Sequence, residues 1–264
     1  MLEIKNLEFS YPQGNGFRMN KINFRVKRGE MVSIAGPNGA GKTTLVKVMS
    51  GLIDNYSGDV LVNGKDIKSL KPVERAKLIA YIPQSESYIF DFTVHGLVSM
   101  GRRPYTGPAG MLSRKDRDII DSAIEETGLA GKKDRKFSTL SGGEKRAVLI
   151  ARAVAQQADA VIMDEPSAYL DMGRQSSLME WVRALNNRSK AVVFVTHSVN
   201  LASEYINRIV FMKNGGIISS GTPEEVITEK NLKDIYGIKN IEVRKNEKTG
   251  RPNVFLVPSE SQDS

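Results

Sequence analysis

The sequence predicts an α/β fold: a mostly parallel sheet covered by helices, preceded by an antiparallel β unit and interrupted by a helical insertion. Three observations carry this. Short apolar strands run at 31–35 (MVSIA), 159–163 (DAVIM) and 191–196 (AVVFVT) without polar alternation. Strands buried on both faces read this way. Helical patterns follow these strands at 43–50, 172–186 and 199–206. Residues 90–155 break the alternation with a long helical stretch.

In chain order, residues 2–11 place apolar side chains at Leu2, Ile4, Leu7, Phe9 and Tyr11. A turn signal, PQGNG at 12–16, separates them from a second alternating run at Ile22, Phe24 and Val26. Two antiparallel strands follow from that pattern. After Arg28-Gly29 comes the strand at 31–35, then a glycine-rich loop and a helix. Residues 58–63 and 78–82 read as strands. In the insertion, Ser113 is placed to N-cap a helix with Ile119, Ile120, Ala123 and Ile124 on one face. A strand pair near 209–219 turns at Asn214-Gly215. The domain expected from this order spans 1–228, with the insertion at about 90–155. Residues 229–264 are expected to be a C-terminal tail, part of a charged segment beginning near 226, with a hairpin of 241–243 and 254–257 around Lys248-Thr249-Gly250. Residues 260–264 are expected to be disordered.

Composition narrows the function classes. The 264 residues are 40% hydrophobic and 26% charged, as in a water-soluble globular chain. There is no cysteine, which excludes disulfides and thiolate metal sites. The N-terminus MLEIKNLEFSY lacks the pattern of a signal peptide. No apolar run approaches the roughly 18–20 residues that span a bilayer. A role at a membrane would therefore need a spanning partner. The formal charge of +8 reads as a solvated basic surface, and no interleaving of basic and aromatic residues supports nucleic-acid binding.

The chemistry starts at residues 36–43, GPNGAGKT, which match G-x-x-x-x-G-K-[ST]. Gly36, Gly39 and Gly41, with Pro37, Asn38 and Ala40 between them, let backbone N–H groups converge on an anion. The helix behind them adds partial positive charge. Lys42 would meet the β- and γ-phosphates of a nucleotide, and the Thr43 hydroxyl would ligate Mg²⁺. Thr44 would contact the α-phosphate or backbone, or simply start the helix. Residues 160–166, AVIMDEP, end a buried strand in two carboxylates. Asp164 would hold Mg²⁺, and Glu165 would orient and partly deprotonate an attacking water. Residues 140–144 read LSGGE ahead of a helix. Ser141 and Glu144 form a capping-box pattern, yet Gly142 and Gly143 each weaken a helix by about 1 kcal/mol relative to alanine. They make sense where a phosphate must approach the backbone closely.

GPNGAGKT, Gln84, LSGGE, VIMDE and His197, in this order, resemble the ATP-binding subunits of ABC transporters over nearly the whole chain. The resemblance implies a P-loop NTPase (RecA-like) core, ATP hydrolysis with Mg²⁺, and a homodimer. In the pair, Ser141, Gly142, Gly143, Glu144 and Asp171 of one chain would reach the ATP held by the other. It implies that Tyr11 stacks on adenine and that Gln84 senses Mg²⁺ and water and touches a transmembrane permease. It implies that His197 contacts the γ-phosphate, alongside Lys42 and Glu165. Each position also has a plainer structural reading: a strand-end core residue for Tyr11, a loop glutamine for Gln84, a core histidine for His197 and an N-cap for Asp171. Two departures stand out. Glu144 occupies a position where glutamine is common, and the segment before Asp171 is SAYL, with Tyr169 adding bulk.

The segments TVHGLVSMGRRPY (93–105), GTPEEVIT (221–228), KNLKDIYGIKN (230–240) and KTGRPNVFLVP (248–258) look like importers of iron-siderophore, haem and cobalamin complexes. The expectation is a prokaryotic importer ATPase, peripheral on the cytoplasmic side of the cell membrane. It would serve a permease and, indirectly, a periplasmic or extracellular substrate-binding protein. Tyr88, Phe90 and Phe92 are candidate docking contacts, or a small core under the helical insertion. Open alternatives are a zinc, manganese or other small-solute importer, a soluble ATPase of iron–sulfur cluster assembly, and a nucleic-acid-handling ATPase. The single phosphate-loop motif argues against the last.

Overall fold

The computed structural model describes residues 1–12, 16–84, 88, 90–107, 110–168 and 170–258. The turn expected at 12–16 falls mostly on residues outside these, as do Tyr169 and the terminus from 259.

β1 (Leu2–Ser10) and β2 (Arg18–Val26) pair antiparallel, with Leu2 opposite Val26 and Ile4 opposite Phe24. β3 (Met31–Ala35) then feeds α1 (Lys42–Met49). β4 (Ser57–Val62) and the short β5 (Lys65–Asp66) return to the first sheet, whose order is β2-β1-β4-β5. Alternate residues of β2 are buried, because one face of this sheet meets the core and the other meets water.

The chain continues through α2 (Pro72–Leu78) into β6 (Ile79–Ile82). The helical insertion follows as α3 (Val94–Ser99), α4 (Arg114–Glu126) and α5 (Gly142–Gln156). Ser113 caps α4 in a capping box with Asp116. The sheet resumes with β7 (Ala160–Asp164), α6 (Met172–Asn187), β8 (Ala191–Val195), α7 (Val199–Tyr205), β9 (Arg208–Lys213) and β10 (Gly216–Gly221). This second sheet is six-stranded in the order β10-β9-β3-β8-β7-β6. Its pairings are parallel except at the edge, where β10 runs antiparallel to β9. Every residue of β3, β7 and β8 is buried. That is the physical counterpart of their unbroken apolar sequence.

Three cores result. One lies between the two sheets and α1, around Leu2, Ile34 and Leu45. A second covers the opposite face of the parallel sheet, around Leu149, Met179 and Phe194. A third fills the insertion, around Val98, Ile120, Ile124 and Val148. Residues from 223 onward form α8 (Pro223–Val226), α9 (Glu229–Tyr236) and a hairpin of β11 (Ile241–Lys245) with β12 (Pro252–Leu256). This segment is charged outside, but its underside is part of the second core through Ile227, Leu232, Ile235 and Ile241. Burying that apolar side removes it from water, which a free tail would not do.

Candidate active site

The fold gathers the chemically loaded residues at the carboxyl ends of β3, β6, β7 and β8, where open α/β sheets bind ligands. The phosphate loop begins at Gly36 with φ of 144°. A Cβ there would lie 2.1 Å from the Met212 carbonyl oxygen, so no other residue fits. Gly39 and Gly41 also have positive φ, of 77° and 98°. Asn38 and Gly39 are exposed at the loop's tip, whereas Ala40 is buried and its carbonyl accepts from Gly215 N at 3.1 Å. The Lys42 ammonium donates to the carbonyls of Gly36 at 2.8 Å and Pro37 at 2.9 Å. Burial lowers its pKa, while Glu165 and Asp164 act against that fall. It is a cation held inside the loop by dipoles, ready to exchange them for anionic oxygens.

Asp164 closes β7 and is only 2% exposed. Thr43 Oγ1 donates to its Oδ1 at 3.3 Å, and the Tyr81 hydroxyl donates to its Oδ2 at 3.4 Å. Burial pushes this carboxyl above its usual range, and Glu165 adds to the effect. An oxygen-only pair of carboxylate and hydroxyl beside a phosphate loop fits Mg²⁺, which binds through one or two protein oxygens plus substrate phosphates. Among the described residues no cluster of three or more acidic or histidine side chains forms a metal cage. Such a cage is not required for that mode of binding.

Glu165 has φ of 44°, an unfavourable value for a residue with a side chain. Its N–H donates to Val195 O at 3.1 Å, which pins the turn. Its Oε2 accepts from Gln84 Nε2 at 2.9 Å, and its Oε1 pairs with His197 Nε2. His197 follows β8 and its side chain is 44% exposed, so it is not a core histidine. Tyr11 is likewise not a core residue. Its ring stands edge-on to Phe9 at 4.8 Å, and its hydroxyl lies 3.0 Å from Thr44 Oγ1. Tyr11, Lys42, Thr43, Glu165 and His197 line one cavity of about 840 Å³, with Phe17 on its wall.

None of Ser141, Gly142, Gly143, Glu144 or Asp171 lines that cavity. They sit at the starts of α5 and α6. Ser141 and Glu144 form the capping box: Ser141 N donates to Glu144 Oε2 at 2.8 Å and Glu144 N to Ser141 Oγ at 3.4 Å. Gly142 faces open space, whereas a Cβ on Gly143 would lie 2.3 Å from Arg174 Cδ. Gly143 therefore has a second reason to exist, within this chain, whereas Gly142 does not. Asp171 caps α6 by accepting from Arg174 N at 2.9 Å.

The fold found here is shared with a solved dimeric structure, that of MJ0796, a bacterial ABC transporter cassette. The TM-score is 0.75 at 28% identity, covering 84% of this chain and 98% of that one. The family model described as ABC transporter matches residues 19–168. The chain belongs to the ABC transporter family. This ABC protein is 36% identical over 230 residues to the petrobactin import ATP-binding protein FpuC of Bacillus anthracis, covering 87% of this chain and 85% of FpuC. It is 35% identical over 240 residues to the iron(3+)-hydroxamate import ATP-binding protein FhuC of Bacillus subtilis, covering 90% and 89%. Family and relatives make the ABC protein an ATP-binding ATPase.

Its structure also reveals residues that the sequence patterns did not single out. Tyr81 holds Asp164. Arg146 on α5 donates to the carbonyls of Pro83 at 2.8 Å and Gln84 at 2.6 Å. Arg174 covers Gly143. Each acts through a contact distant in sequence, for which no local spacing exists. Of the aromatic candidates, Tyr88 and Phe92 pack edge-on with each other at 6.0 Å and join the core of the insertion. Phe90 remains 71% exposed.

Proposed function

We propose that the chain hydrolyses Mg-ATP in a head-to-tail pair and thereby drives import of a metal chelate through a membrane permease. The observation that carries the hydrolytic reading is the convergence of Lys42, Thr43 and Glu165 on one cavity, with Asp164 bonded to Thr43 and with Gln84 and His197 both on the Glu165 carboxylate.

In this reading the triphosphate lies on the loop 36–41, and Lys42 turns from the loop carbonyls to phosphate oxygens. Tyr11 stacks on the adenine and Thr44 stands at the α-phosphate. Thr43 and Asp164, with Gln84, would hold Mg²⁺, which when bound neutralises charge on the β- and γ-phosphate oxygens. Glu165 orients the attacking water and takes up its proton, with its carboxylate fixed by Gln84 and His197. His197 and Lys42 stabilise charge on the transferring phosphoryl group. Ser141, Gly142, Gly143 and Glu144 of one chain reach the γ-phosphate held by the other, and Asp171 crosses between the two chains. Closure is driven by the tighter binding of ATP to the paired state.

The name of one relative, an iron(3+)-hydroxamate import ATP-binding protein, supports an iron-chelate cargo. Exposed Phe90, shortly after Gln84 along the chain, supports docking of a permease there. Among the described residues no helix is long and apolar enough to cross a membrane, so transport needs such a partner.

The test is reconstitution. The chain is purified together with the membrane protein that binds it, placed in lipid vesicles, and supplied with ATP and iron(3+)-hydroxamate. ATP-dependent chelate uptake that Glu165→Gln abolishes supports the reading. Uptake of free zinc or manganese instead, or co-purification only with soluble proteins, overturns it.

A further inference from the structure

We propose that Lys132 is a positioning residue for the ATPase reaction: it neutralises Glu144, so that the start of α5 can accept a triphosphate. The inference rests on the head-to-tail reading above.

Glu144 completes the capping box of α5 by accepting from Ser141 N, but a neutral glutamine could make the same hydrogen bond without a charge. As a carboxylate it places a full negative charge within one turn of Ser141 and Gly142, the surface that would meet the partner's ATP. The partial positive charge of a helix N-terminus, about half an elementary charge, does not offset it. Nor can a proton remove it. The Lys132 ammonium and the Ser141 N–H hold the Glu144 carboxyl down at about 2, so it is ionised throughout the working range.

Lys132 supplies the missing cation. It lies in the short turn Ala130–Lys132 after α4 and donates to Glu144 Oε1 at 2.5 Å. Its backbone is fixed by a bond from Lys132 N to Leu129 O at 2.9 Å. Three neighbouring cations are paired with other carboxylates. Arg174 pairs with Asp171 at 3.3 Å, Lys133 with Asp121 at 2.7 Å and Lys136 with Asp91 at 3.7 Å. Lys145 stands over the Phe137 ring at 5.6 Å. Both oxygens of Glu144 are used, one by the cap and one by Lys132. Together they cancel the Glu144 charge at the helix start, with the Gly142 side open.

The experiment is steady-state ATP hydrolysis by the full chain as wild type, Lys132→Met, Glu144→Gln and the double variant, at low salt and at about 0.5 M salt. Lys132→Met should raise KM for ATP about fivefold at low salt, and the defect should shrink at high salt, where exposed charges are screened. In the Glu144→Gln background the same change should alter KM less than about twofold, because the charge to be neutralised is gone. A Lys132→Met chain with wild-type KM overturns the inference. So does a defect that persists in the Glu144→Gln background or ignores salt, as a packing or folding defect would. Ser141→Arg, assayed in parallel, separates the two levels. If it keeps full turnover, the shared-site reading itself fails, whatever Lys132 does.

Discussion

Glu165 is constrained from every side. Its backbone sits at φ 44°, its N–H is tied to Val195, and its two carboxylate oxygens are taken by Gln84 and His197. Such a conformation costs about 1–3 kcal/mol and persists only when its surroundings over-determine it. The strain is coherent if the carboxylate must stand at one point relative to a water. Glu165→Gln keeps the shape and removes the basic oxygen. It is expected to bind ATP with near-normal affinity in a nucleotide titration while turnover falls at least about 100-fold. Near-normal turnover would remove Glu165 from the role of base. At this scale the sequence was informative where chemistry demands a fixed local pattern. Backbone capture of an anion needs glycines at set spacing, so Gly36, Gly41 and Lys42 were legible. Tyr81 and Arg146 were not, because each acts on a residue 62 to 83 positions away.

At the scale of elements, α5 is the connection between the two halves of the proposed site. It starts at Ser141 and, one turn on, sends buried Arg146 to the carbonyls of Pro83 and Gln84. Gln84 in turn holds Glu165. α5 is thus linked to the Glu165 carboxylate through two hydrogen-bonded steps. Lysine at 146 keeps charge and much of the length but cannot reach both carbonyls in a fork. Arg146→Lys is expected to lower kcat roughly tenfold with little change in ATP affinity, since orientation rather than binding is lost. Comparison of kcat with a nucleotide titration checks it. The elements themselves were largely visible beforehand. β3, β7 and β8 announced themselves as unbroken apolar runs. α2 did not, because none of its residues is buried, and an exposed seven-residue helix has no apolar stripe to read. The underside of α9 was also concealed: Leu232 and Ile235 are too few to stand out in a charged stretch, and their burial depends on Phe211 and its neighbours across the sheet.

For the whole molecule, the decisive feature is a division. The cavity that would hold ATP is lined by Lys42, Thr43, Glu165 and His197, and Ser141, Gly142, Gly143, Glu144 and Asp171 lie outside it. In the proposed function one chain carries both halves of a site without joining them, which two copies related by a two-fold axis can do. The sequence could show both halves but not their separation, which is a property of the folded surface. The most direct measurement mixes two inactive chains. Ser141→Arg chains lack Ser141 but keep Glu165; Glu165→Gln chains have the reverse. Each alone should hydrolyse ATP at a small residual rate. In a mixed pair, one site combines an intact Glu165 with an intact Ser141. The account predicts that mixing restores turnover to a substantial fraction of wild type, saturating as mixed pairs form. A mixture whose rate is merely the average of its two parts, with mixed pairs demonstrably formed, would contradict it.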